Sequence, residues 1–256
     1  MRAIKVAIAD AIVTCLWVFC ASSLGALTFV VASAFGVSQG LPTLLITTFL
    51  LFVLLFVFGF IGDALGGATF NPTGPAAFYA AGVGGTESLV SAAVRFPAQA
   101  VEHLIHANLI MKNNEAAGAV GGALGILEVM PVQYKHMLDC PSLKVDLNTG
   151  AIAEGVLTFI ITFAVLYIVL RGPTNPFVKN WLLAMSTVAL VVAGSSYTGP
   201  SMNPANAFGW AYVNNTHKTW EQFYVYWICP FIGAILAAWV FRFLFPPPPV
   251  KKQKKA

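Results

Sequence analysis

Charge is scarce in this sequence. Only 9% of its 256 residues are charged and 58% are apolar, whereas a soluble domain carries about 25% charged residues. The length alone would suit one or two soluble domains. Uncharged runs exclude that: Ala11 to Ala34, Leu44 to Ile61, Gly155 to Leu170 and Phe223 to Phe241, the last holding Pro230. A spanning helix needs roughly 20 mostly apolar residues. Cysteine is scarce as well. Cys15, Cys20 and Cys229 lie in apolar runs as small packed thiols, and Cys140 has no second loop cysteine to pair with. Neither a disulfide framework nor a metal-ligand spacing follows. No nucleophile–base pair or phosphate loop is present, so an enzyme has no support and no cofactor or metal is implied. The net charge of +4 sits largely at the ends, in Arg2, Lys5 and the four lysines of 251–255. Basic ends on an apolar chain report orientation in a membrane rather than a nucleic-acid partner. The run after Lys5 exceeds the 7–15 residue core of a signal peptide, which predicts an uncleaved first span.

Six spans are expected, at about 7–31, 44–62, 90–130 (interrupted), 150–170, 181–198 and 222–245. Two apolar segments, 71–81 and 203–212, follow Asn-Pro and are too short to cross. Short segments at matching positions in two halves point to inverted repeats around a binding path. The halves align: Asp10 and Thr14 against Glu154 and Thr158, and Gly67-Ala68-Thr69-Phe70-Asn71-Pro72-Thr73 against Gly199-Pro200-Ser201-Met202-Asn203-Pro204-Ala205. Three spans per half force opposite orientations. The expected organisation is a single membrane domain over 1–256. Repeat 1 covers about 7–131, repeat 2 about 150–245, and a Pro/Lys tail 246–256. An even number of spans puts both termini on one side, together with Arg95, Arg171 and Lys179; the positive-inside rule makes that side cytosolic. The loops at 31–43, at 131–149 and after 212 then face the other side, where Asn214-Asn215-Thr216 forms a glycosylation sequon.

Asn is a strong helix N-cap, and Pro at the first helical position loses no hydrogen bond. Asn71-Pro72 and Asn203-Pro204 therefore read as starts of half-helices. Entering from opposite faces, their ends meet near the midplane, each carrying about +0.5 charge. Such a centre accepts a neutral hydrogen-bonding solute and repels cations and protons. Asn175-Pro176, in a polar loop without a counterpart, reads as a plain turn. Asp10 and Glu154 are costly in an apolar setting; they read as braces accepting from loop N–H groups.

By these motifs the chain resembles the aquaporin (major intrinsic protein) family over residues 1–100 and 116–256, and within it the plant small basic intrinsic proteins. The resemblance implies an all-α membrane protein of six transmembrane helices plus two half-helices in two inverted repeats. It implies a passive path for water or small neutral solutes in a lipid bilayer, with one pore per protomer of a homotetramer. The constriction would be Asn71, Pro72, Thr73, Asn203, Pro204 and Ala205. Spacing from the motifs carries the family's outer filter to Leu51, Val191, Pro200 and Asn206. Water-selective members have Arg where Asn206 stands and His where Val191 stands, so this filter lacks a fixed cation. The tail matches the di-lysine signal, at Lys252 and Lys254, for retrieval to the endoplasmic reticulum by cytosolic coat machinery.

One stretch breaks the repeat. From Asn71 to Pro131 is 60 positions, while from Asn203 to Pro246 is 43. The excess coincides with 101–115, which holds Glu102, Lys112, Glu115, His103 and His106. Without it, Ser91–Ala100 and Ala116–Met130 join as one apolar helix. The stretch reads as an insertion that bulges out or shifts the helix register, exposing part of itself to water because burying its charges would cost several kcal/mol. The alternative reading is a non-conducting or poorly conducting protein, because the stretch disrupts the third span; a secondary transporter, which needs coupling-ion ligands at the midplane, has less support. The two histidines with Glu102 find no further metal ligand.

Overall fold

The computed structural model describes residues 2–83, 114–138 and 140–246. Most of 101–115, Arg95 and the lysine tail, including Lys252 and Lys254, lie outside the described residues. The helices are α1 (Arg2–Ser22), α2 (Leu24–Ala34), α3 (Leu41–Ala64), α4 (Thr73–Ala80), α5 (Asn114–Val129), α6 (Leu147–Leu170), α7 (Pro176–Gly194), α8 (Pro204–Val213) and α9 (Trp220–Leu244). Among the described residues, five stretches are long and apolar enough to cross a membrane: α1–α2 taken together, α3, α6, α7 and α9.

The packing follows the pseudo-repeat. α1 lies against α5, and α6 against α9. Both contacts rest on glycine. A Cβ on Gly118 or Gly122 of α5 would strike the carbonyl oxygens of Ala11 or Cys15, and one on Gly233 of α9 would strike that of Gly155. Gly118 and Gly122 are four apart, so both lie on one helix face, and small residues at that spacing let two backbones approach in an apolar medium. Ala11 and Gly155 each directly follow a brace acid, Asp10 and Glu154, so the two contacts occupy equivalent places. Each half-helix packs across the repeat boundary: α4 against α9, and α8 against α5. The halves are thereby interlocked.

The boundaries differ from the sequence reading in instructive ways. The first span runs from Arg2 to Ala34 with a break at Ser23. Ser22 is buried beside that break, and its Oγ accepts from Trp210 Nε1 of α8 at 3.1 Å. α7 spans Pro176–Gly194 rather than 181–198. Residues 195–198 leave the helix because their backbone pairs with another loop: Ser142 N donates to Thr198 O (2.9 Å) and Lys144 N to Tyr197 O (2.8 Å). Asn175-Pro176 is more than a turn. Asn175 Oδ1 accepts from Phe177 N and Val178 N and starts α7 at an exposed end. In α9, Pro230 cannot donate to residue 226. The helix accommodates this with one π-helical stretch, Tyr224–Ile228, immediately before the Cys229–Leu244 segment.

Candidate pore constriction

The two Asn-Pro segments meet end to end. Asn203 begins α8 with extended backbone, and its Oδ1 accepts from Ala205 N (3.1 Å) and Asn206 N (3.3 Å). Asn71 Oδ1 accepts from Thr73 N (3.1 Å) and from Thr73 Oγ1 (2.8 Å). The Thr hydroxyl, absent from Ala205, thus supplies an additional donor in the first half. The carboxamide nitrogens cross over. Asn71 Nδ2 donates to Met202 O and Asn203 Nδ2 to Phe70 O, both at 2.9 Å. Each amide group has two hydrogens. One locks the opposite loop; among the described residues, no second bond from either Nδ2 is formed. Sequence reasoning found the two amides but not their reciprocal lock.

The loops leading to these residues are irregular backbone inside an apolar body, so their polar groups need partners. Glu154 is fully buried and takes three donors: Thr198 Oγ1 (3.0 Å) and Ser201 N (2.8 Å) on Oε1, and Met202 N (3.0 Å) on Oε2. Met202 is held at φ 49°, a left-handed conformation unusual for a side chain with a Cβ. Its N–H is fixed by Glu154 and its carbonyl by Asn71, which together hold the strain. Tyr226 OH donates to Thr198 O at 2.9 Å. In the first half, Thr69 N donates to Asp10 Oδ1 (2.9 Å) and Thr14 Oγ1 to Thr69 O (3.4 Å). Phe70 is clamped by Trp17, stacked at 3.8 Å, and edge-on by Phe58.

Glu115 requires a correction. It is buried, 2% exposed, within α5, and its Oε1 accepts from Thr69 Oγ1 at 2.8 Å. The stretch that ends at Glu115 is expected to expose part of itself to water on account of its charges, yet Glu115 lies inside. The partner is 46 residues away, so nothing local signals the contact. Among the expected filter residues, Leu51 is buried, while Val191, Pro200 and Asn206 are half-buried. Asn206 Nδ2 turns to Ser201 Oγ (3.3 Å), which itself donates to Asn203 O (2.7 Å).

His217 lies beyond α8, against Tyr212 (4.8 Å between ring centroids) and edge-on to Phe208. Burial holds its pKa below the usual value, with the Lys218 charge acting in the same direction. The unfolded chain then binds the proton more readily than the folded one, so stability falls as pH drops through and below about 6.5. We expect the thermal midpoint of the detergent-solubilised protein to fall between pH 7.5 and 5.5, and His217→Phe to flatten that difference. An unchanged pH difference in the variant would exclude His217 as its source.

An all-helical membrane body, two half-helices abutting at their N-termini and the buried acids Asp10 and Glu154 at equivalent places define one architecture, and the comparisons agree with it. The sequence matches the Major intrinsic protein family over residues 1–241. It is 61% identical to aquaporin SIP1-1 of Oryza sativa subsp. japonica, over all of this chain and 99% of that protein. It is 61% identical to aquaporin SIP1-2 of Zea mays (all of this chain, 98% of that protein) and 50% identical to aquaporin SIP1-1 of Arabidopsis thaliana (all of both). The X-ray structure of the aquaglyceroporin from Plasmodium falciparum superposes with a TM-score of 0.63 at 13% identity, over 93% of this chain and 95% of that one, which is a likeness of fold. The chain belongs to the major intrinsic protein family. It is a multi-pass integral membrane protein, not an enzyme.

Proposed function

We propose that the chain is a passive channel for water and small neutral solutes, narrowed where Asn71 and Asn203 face each other, with Pro72, Thr73, Pro204 and Ala205 starting the half-helices. The reading rests above all on the reciprocal bonds from Asn71 to Met202 and from Asn203 to Phe70. They bring two positive helix ends together and leave one amide hydrogen on each side. A neutral solute can replace its water bonds there. A cation meets two helix ends of the wrong sign. The filter proposed at Leu51, Val191, Pro200 and Asn206 carries no charge, and Asn206 is already bonded to Ser201. Discrimination between water and larger neutral solutes is therefore weaker than an arginine would give, while cation rejection stays with the half-helix ends.

Proteoliposomes holding the purified protein should shrink and swell faster than empty vesicles under gradients of sucrose, glycerol and urea. The rate should not respond to Na⁺ or proton gradients. Ion-coupled uptake would indicate a transporter instead. A chain lacking 101–115, run beside the full one, tests whether that stretch disables conduction; rapid flux only after its deletion would establish the non-conducting reading. The assembly proposed is a homotetramer with cytosolic termini in the endoplasmic reticulum membrane. Replacing Lys252 and Lys254 with serine should release the protein to later compartments, as seen by fluorescence microscopy.

A further inference from the structure

We propose that Glu115 is a positioning residue of the first Asn-Pro loop, holding Thr69 from the third span and so fixing where Asn71 presents its amide. This rests on the channel reading above. Thr69 stands two residues before Asn71 and is gripped on three sides. Its N–H goes to Asp10 of α1, its carbonyl accepts from Thr14 of α1, and its hydroxyl goes to Glu115 of α5 at 2.8 Å. The second loop is likewise supported from two helices, by Glu154 of α6 and Tyr226 of α9. Since α1 corresponds to α6 and α5 to α9, each loop is held by both equivalent helices, although Tyr226 reaches Thr198, five residues before Asn203, and Glu115 reaches Thr69, two before Asn71.

The register explains how it arrives there. Gly118, three residues on, packs against the Ala11 carbonyl, and Ala11 follows Asp10. Residues three apart share a helix face, so Glu115 and Asp10 project from one seam between α1 and α5, with Thr69 at the end of it. From Asn71 to Gly118 is 47 positions, whereas from Asn203 to the equivalent Gly233 is 30. The surplus therefore lies ahead of the packing glycine, and Glu115 is the last residue of the stretch marked in the sequence. Were 101–115 absent, Ala100 would precede Ala116, and an alanine at this place offers no acceptor. The stretch thus ends in a residue that supports the pore. A hydroxyl can donate to a carboxylate, a carboxylic acid or an amide oxygen, so glutamine should substitute for Glu115 and leucine should not.

The test compares Glu115→Gln, Glu115→Leu, Thr69→Val and the Thr69→Val/Glu115→Leu double variant, each reconstituted in proteoliposomes and melted in detergent. Glu115→Leu and Thr69→Val should each lower water permeability roughly five- to tenfold, the population shift produced by losing one ordinary hydrogen bond. They should also change the glycerol-to-water ratio in the same sense. Glu115→Gln should retain wild-type flux, and the double variant should be no worse than the poorer single one. Wild-type flux in Glu115→Leu would overturn the proposal, as would simple addition of the two single effects. A lowered thermal midpoint with unchanged flux and ratio would overturn it too, since that marks a purely structural residue. If the wild-type protein passes no solute, the channel reading fails. The coupling of the two substitutions in the thermal midpoint then decides by itself whether Glu115 holds Thr69.

Discussion

Glu154→Ala should abolish osmotic flux and leave little monodisperse protein. Three donors converge on this carboxylate: Thr198 Oγ1, Ser201 N and Met202 N. Removing the acceptor strands them all in an apolar interior, at about 1–3 kcal/mol for each unsatisfied group. Net stability of folded domains is about 5–15 kcal/mol, so the loss takes up most of it. It also frees Met202, whose strained backbone carries the carbonyl that locks Asn71. Glu154→Gln should be milder. Its amide oxygen can retain the two donors on Oε1, but its NH₂ must then face Met202 N. Size-exclusion chromatography with swelling rates checks both. An alanine variant that still conducts would show that the loop holds its shape without the carboxylate.

Gly118→Ala should destabilise the protein, against the ordinary sign of that change. In a helix interior, alanine is favoured over glycine by about 0.5–1 kcal/mol. Here the added carbon meets the Ala11 carbonyl oxygen. Backbone cannot swing aside as a side chain can, so α1 and α5 must separate. Overpacking of a tight contact costs about 1–3 kcal/mol, which outweighs the helix preference. Gly59 supplies the contrast: it sits in α3 with nothing near its would-be Cβ, and Gly59→Ala should be neutral or slightly stabilising. Thermal midpoints of the two variants, measured side by side, decide the matter. Equal shifts would mean that the α1–α5 seam is looser than its geometry indicates.

Chemistry that acts within a few residues was readable in the sequence. Asn-Pro followed by small apolar residues marks a helix start because the cap bonds lie two and three residues on. Asp10 and Glu154 stood out because an acid in an apolar run demands a partner, and the repeat supplied it. The unreadable parts are set by distance. Glu115 finds Thr69 across 46 residues, and Trp210 finds Ser22 across 188. Glu115 follows the polar run Lys112-Asn113-Asn114, which favours exposure and says nothing of Thr69. The end of α7 was set by pairing with residues 142–144, invisible from 195–198 alone. Asn175-Pro176 shows the converse: the same local capping chemistry in a place where no counterpart gives it a pore to line.

The reciprocal amide lock also constrains the order of events during synthesis. Asn71 and the carbonyl it needs, on Met202, are 131 residues apart. At about 5–20 residues per second of elongation, the first half-helix waits on the order of 10 s before its partner exists. Throughout that interval its end has no opposite loop to bind, and α4 has no α9 to lie against. The insertion machinery or bound water must shelter it, and the pore closes into shape only after the last span has been delivered.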